Sequence, residues 1–143
     1  MNIYSIKPAI ITNVSLTMAD HGTLTFYITL KECNSSENHC LGGYAIGKGY
    51  LGADNFEGSA IGLEAMMRIM DTVGVATWED LVGKKVLLGF HEPYGGVEEI
   101  TNIETEKVLI YRIFSILIQK LQLRRLHFLQ MCYKTMYILP IRL

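Results

Sequence analysis

Cys33, His39 and Cys40 put two thiols and an imidazole into one short stretch, CNSSENHC. These are the side chains that zinc most often takes, and His21 or His91 would bring the set to four. The spacing matches no zinc module, however, and the adjacent His39 and Cys40 would strain to reach one ion. The stretch therefore reads as a polar loop with stray thiols, and no metal is assigned. A second cluster is Gly42-Gly43 followed by Gly47-Lys48-Gly49. Glycines let backbone N–H groups approach an anion, and a lysine neutralises it. Walker spacing is missing, and the next helix begins ten residues later, behind Asp54 and Glu57, which repel phosphate. The glycines read first as parts of a bent edge strand. If a small anionic ligand binds anywhere, Tyr44, Lys48 and Tyr50 are the residues to hold it.

Other candidate sets dissolve on inspection. Asp20 and His21 have the types of an acid–base pair, but no nucleophile accompanies them and a hairpin tip explains both. Glu98 and Glu99 are neighbours on an expected strand, so they face opposite ways and cannot share a substrate. Met66, Met67 and Met70 have helical spacing and read as core filler. No catalytic residue and no cofactor is assigned, and a non-enzymatic role is expected.

The elements that position these residues begin with composition. Of 143 residues, 50% are hydrophobic and 19% charged, enough apolar material for one folded domain. The net charge of −1 conceals a split. Residues 1–106 hold 6 Lys and Arg against all 14 Asp and Glu, whereas residues 107–143 hold 7 bases and no acid. The expected organisation is one α+β domain over 1–106 and a basic hydrophobic tail over 107–143. The first residues pass at once into strand-like alternation, which does not read as a signal peptide. Arg112, Lys120 and Arg124 interrupt the tail's greasiest part, so no transmembrane segment is expected. An odd count of three cysteines then suits reduced thiols in a cytoplasm.

Pro8–Leu16 and Thr23–Leu30 predict an antiparallel hairpin. Leu24, Phe26, Ile28 and Leu30 alternate with polar or aromatic residues, and Ile10, Val14 and Leu16 share a face at matching spacing. Leu41–Ile46 is a third strand, with Tyr50–Gly58 as loop. A helix over Ser59–Thr72 follows, capped by Ser59 and ended by Gly74. Its apolar face is expected to comprise Leu63, Met66, Met67, Ile69, Met70 and Val73. Thr77 caps a turn that drops Trp78 and Leu81 onto the core. Val86, Leu88 and Phe90 alternate as a strand, and Val97–Ile103 pairs back on it. The expected fold is an antiparallel β-meander of four to five strands packed on one amphipathic helix.

The tail from Lys107 contains no Gly, Ala, Asp, Glu, Asn or Trp. Four readings are open. It is a basic amphipathic helix docked on the acidic body, an oligomerisation helix, or a contact for membrane or nucleic acid through Arg112, Lys120, Arg124 and Arg125. The fourth reading is translation of AT-rich DNA out of frame after a shift near Lys107. A coherent continuation in another frame would support the shift, and stop codons in both would sink it.

The ordered run Asp20-His21-Gly22, Leu24-Thr25-Phe26, Gly42-Gly43-Tyr44, Gly62-Leu63-Glu64-Ala65 and Trp78-Glu79-Asp80-Leu81 with Gly83-Lys84 resembles a group of small phage and prophage proteins. The match spans Ile10 to about Ile103. This chain departs from the group in lacking an arginine between Val86 and Phe90, and in its tail, where the group has an acid-containing end. The resemblance implies a mobile-element origin and a host-cytoplasmic setting, and it brings no catalytic residues. The expected role is binding a host protein or a small nucleotide ligand, with counter-defence as one form of it. The alternative is a nucleic-acid-binding or replication accessory factor; self-association is open in either case.

Overall fold

The computed structural model describes residues 4–19, 22–49, 55–91 and 96–110. Seven strands and one α-helix make up these residues: β1 (Tyr4–Ala19), β2 (Thr23–Glu32), β3 (Asn38–Lys48), β4 (Glu57–Gly58), α1 (Ala60–Val73), β5 (Lys85–His91), β6 (Val97–Asn102) and β7 (Val108–Ile110). The expected α+β class holds, but the sheet is larger than the four to five strands expected. All seven strands form one antiparallel sheet in the order β4-β3-β2-β1-β5-β6-β7, curled into a half-barrel.

Strand β1 causes much of that shape. Its first part, Tyr4–Ile10, pairs with β5, and Ala9–Ala19 pairs with β2 on the other edge. The two ladders overlap only at Ala9 and Ile10, so the chain passes from one half of the sheet to the other along a single strand. A bulge between Ile11 and Asn13 adds local bend and twist. It also corrects the expected strand face. Ala9 and Ile11 are the buried residues before the bulge, whereas Ile10 is only partly buried. Past it, Val14 and Leu16 stand opposite the buried Ile28 and Phe26; Val14 packs on the core, while Leu16, nearer the strand's end, stays half-exposed. One inserted residue moves the inward set from odd to even numbers.

Helix α1 lies inside the curl and packs on β3 as well as on β6 and β7, which lie in opposite halves of the sheet. Its ends follow the expectation. Ser59 Oγ accepts from Gly62 N at 3.2 Å, and Gly74 takes the left-handed conformation with its N–H donating to Met70 O. Its face does not. The buried residues are Gly62, Ala65, Ile69, Thr72 and Val73, while Leu63 and Met67 are 51% and 69% exposed. The reason is backbone approach. A Cβ on Gly62 would lie 2.3 Å from Ala45 O and 2.9 Å from Ile46 Cα. The helix therefore seats its small-residue edge on β3, rotating Leu63 and Met67 away from the core. Met66 and Met70 remain partly buried at the core's edge.

The core is filled by Phe26, Ile28 and Leu30 of β2, Val86, Leu88 and Phe90 of β5, Ile100 and Leu109 of the far strands, and Ile69 of the helix. Trp78 and Leu81 close one side as expected, with Trp78 edge-on to Phe26 at 5.4 Å. Thr77 Oγ1 accepts from Asp80 N at 3.3 Å, capping the 3-10 turn Glu79–Leu81. Two expected loops are shorter than the sequence suggests. Strand β3 already includes His39 and Cys40, and Glu57–Gly58 forms β4 against Gly47 and Lys48. Strand β7 falls where the sequence reading begins the tail. It pairs with β6, and Leu109 is buried. The remainder of the tail, with Arg112, Lys120, Arg124 and Arg125, lies outside the described residues.

Asn102 ties the helix to the β6–β7 turn. Its Nδ2 donates to Thr72 O and Val73 O, each at 3.0 Å, supplying carbonyls that the helix end leaves unpaired. Its Oδ1 accepts from Glu104 N at 2.9 Å and Thr105 N at 3.2 Å. Asn102→Ala removes all four bonds at once. The expected loss is about 2–3 kcal/mol, from roughly 1 kcal/mol per net hydrogen bond with partial replacement by water. A urea titration measures it, and a loss below about 0.5 kcal/mol would show that water replaces the side chain fully.

Candidate functional site

The densest polar cluster among the described residues sits where β1, β2, β3 and β5 meet near the β2–β3 turn. Its centre is the Glu32 carboxylate, 6% exposed. Glu32 Oε1 accepts from Lys7 Nζ at 2.9 Å and contacts His39 Nε2 at 2.8 Å, and Oε2 accepts from Ser35 Oγ at 2.7 Å. Lys7 also lies 3.6 Å from Glu37 Oε2. Phe90 covers one side, with its ring 4.8 Å from the His39 ring and 5.4 Å from Lys7 Nζ.

Strand parity builds this cluster. Glu32 continues the inward series Phe26, Ile28 and Leu30; Lys7 continues Ala9 and Ile11; His39 is the register partner of Leu30. Three inward stripes thus end in polar residues at the same end of the sheet. Ala9, opposite Glu32, leaves room for them. The hydrogen bonds from Lys7, then those of His39 and Ser35, hold the Glu32 carboxyl down at about 2. The same Glu32 hydrogen bond holds the Lys7 ammonium above the usual lysine range.

Glu32, Glu37 and His39 bring ligand atoms within 4.8 Å of one another, the one group among the described residues able to hold a metal ion. The cation position between the two carboxylates belongs to Lys7 Nζ. The arrangement satisfies itself and works as a clasp joining four strands. Sequence reading passed over it because its members are scattered in the chain. The one available signal was the parity of Glu32, which places a carboxylate at an inward position. The zinc set weighed from sequence is not assembled in this way: Cys33 and Cys40 are free and exposed, His39 turns to Glu32, and His21 lies outside the described residues.

The expected ligand residues fall at the other end of β3. Tyr44 is partly buried and edge-on to Phe26 at 6.0 Å, so its ring packs on the core. Lys48 is exposed as the last residue of β3 and stands opposite Glu57 of β4. Tyr50 lies outside the described residues. Gly42 and Gly43 have φ of +135° and +80°, and a Cβ on Gly42 would meet Phe26 O at 2.1 Å. The bent edge strand read from these glycines is therefore what they form. Beside Lys48, Phe56 is 67% exposed, and its ring covers Gly49 so closely that a Cβ there would collide with it. Strand β4 pairs only with Gly47 and Lys48, which leaves the outer edge of β3 from Asn38 to Ala45 without a partner strand among the described residues.

Among the described residues no helix is long and apolar enough to cross a membrane. Comparison of the chain with protein-family models, with curated proteins and with solved structures returned no match.

Proposed function

We propose that this is a phage or prophage accessory protein that acts by binding, with a host protein as its partner and the outer edge of β3 with β4 as its contact surface. The observation that carries the reading is Phe56, a 67% exposed aromatic beside an edge strand that, among the described residues, has no partner strand over most of its length. Exposed aromatics and open strand edges are two recurring anchors of protein recognition. The bulged glycines Gly42 and Gly43 bend this edge, which discourages indiscriminate strand addition and favours a partner shaped to it. Of the two partner classes expected from sequence, a protein fits better than a small anion. The register sets Glu57 directly across from Lys48, placing a carboxylate beside the cation an anion would need. The acidic body suits a basic target protein, and counter-defence in the host cytoplasm is one setting for such a contact.

The test is a pulldown from host lysate with the full chain and with Phe56→Ser. A near-stoichiometric host protein, retained by the first and reduced at least about tenfold with the second, is the expected result. Recovery of salt-sensitive DNA or RNA as the main partner would instead favour the nucleic-acid accessory role. Equal recovery by both forms would move the contact away from this edge.

A further inference from the structure

Backbone hydrogen bonds fix which groups of β3 face its outer edge. Glu32 N donates to Glu37 O at 3.0 Å, one step beyond the register pair Lys31 and Asn38. Bonded and non-bonded pairs alternate along an antiparallel ladder, so Leu30–His39 and Ile28–Leu41 are the bonded pairs. Asn38 and Cys40 therefore turn their N–H and C=O groups away from β2. The other edge of β2 agrees: Cys33 N donates to Pro8 O at 2.9 Å, and Thr29 O accepts from Thr12 Oγ1 at 3.1 Å. Asn38 and Cys40 are exposed, and their backbone groups meet no partner among the described residues.

The side chains of this stretch sort by face. His39 and Leu41 point inward, with Leu41 buried, whereas Asn38 and Cys40 share the outward face with Lys31 and Thr29 of β2. Lys31 is exposed and, among the described residues, forms no ion pair. Glu32 and Glu37, the acids of this end of the sheet, are committed to Lys7. Gly42 and Gly43 then bend the chain with positive φ, so the regular edge is confined to Asn38–Leu41.

We propose that the host partner contributes an extended segment that adds as a strand along Asn38–Leu41. Its backbone pairs with the amides and carbonyls of Asn38 and Cys40, and an acidic side chain is set against Lys31. Strand addition rests on the reading of this edge as the contact surface, and it specifies the chemistry of the partner. Donors and acceptors alternating along a straight stretch are met together by another extended backbone. Such a segment alternates its own side chains. An apolar one falls beside Leu41 on the inward side, and an acidic one falls beside Asn38 on the outward side, within reach of Lys31. The charge match is local, because Thr29, Asn38 and Cys40 around Lys31 include no acid. Phe56, at the far end of β3, remains a separate side-chain anchor.

The test repeats the lysate pulldown with full-length Cys40→Pro, Cys40→Ala and Lys31→Glu beside the wild type and Phe56→Ser. Proline removes an N–H that β2 does not use, and edge strands tolerate it there. Alanine keeps that N–H and controls for loss of the thiol, and circular dichroism checks each fold. Wild type and Cys40→Ala are expected to retain the same host protein. Retention is expected to fall at least about tenfold with Cys40→Pro and about threefold with Lys31→Glu. That protein, purified and added back to the wild type, is expected to slow hydrogen exchange at the Asn38 and Cys40 amides at least about tenfold. The His39 and Leu41 amides, already bonded to β2, are expected to change little. The exchange readout decides the matter should Cys40→Pro fail to fold. Equal recovery by Cys40→Pro and Cys40→Ala, with loss in Phe56→Ser, would overturn strand addition and leave the contact surface standing. Undiminished recovery by Lys31→Glu would overturn the acidic contact, and equal recovery by every form would remove the contact surface as well. Slowed exchange at these amides with rising protein concentration and no partner would overturn the proposal by assigning the edge to a second copy.

Discussion

Gly62→Ala is expected to destabilise the protein by about 1–3 kcal/mol, the usual cost of forcing extra atoms into a packed contact. The sign is informative because helix propensity argues the other way: alanine is about 1 kcal/mol better than glycine in a helix interior. Here the added methyl would sit 2.3 Å from Ala45 O and 2.9 Å from Ile46 Cα, both backbone atoms that cannot rotate aside. Helix α1 would have to lift from β3, loosening Ala65 and Ile69, both fully buried. Gly58→Ala is the matched control, since nothing lies within 4 Å of its Cβ position. Urea titrations of the three proteins measure the difference. A Gly62→Ala protein as stable as the wild type would sink the close-approach account of why the helix turns Leu63 and Met67 outward.

The second large effect is expected at Glu32. Glu32→Gln keeps the shape but removes the charge that Lys7 and His39 address, at a cost of about 2–3 kcal/mol near neutral pH. The effect depends on pH in a defined direction. Glu32 titrates at about 2 in the folded protein against 4.5 ordinarily, so the unfolded chain takes up the proton first as pH falls. Its contribution is complete above about 4.5 and is lost progressively toward 2. The stability gap between wild type and Glu32→Gln should therefore be widest at pH 7 and shrink steadily below pH ~4.5. Denaturant midpoints at pH 7, 5 and 3.5 read this directly. Parallel curves would mean that the carboxylate's charge contributes nothing to the clasp.

Local patterns were legible where one residue's neighbours in sequence are also its neighbours in space. Ser59 and Gly74 mark the helix ends because caps are made within a few residues. The β1–β2 hairpin, the Trp78 turn and the β5–β6 pair follow from alternation and turn residues in the same way. Two elements were too short to carry a period: β4 has two residues and β7 three, and each exists because a longer strand offers it an edge.

The sequence by itself determined the α+β class, the strand pairs joined by local turns, and the helix with its caps. Each of these rests on short-range periodicity and backbone chemistry. Hydrophobicity placed Ile69 and Val73 on the inward side of α1, as they are, but tertiary structure alone decided that Leu63 and Met67 turn away and Gly62 turns in. Hydrophobicity pointed to Leu63 and Met67, but the contact with β3 admits a backbone with no Cβ, and Gly62 provides it. Tertiary structure also decided the phase of β1, which one bulged residue reverses. Finally, it assembled the Glu32 clasp, because Lys7, Glu32 and His39 meet only when three strands are in register.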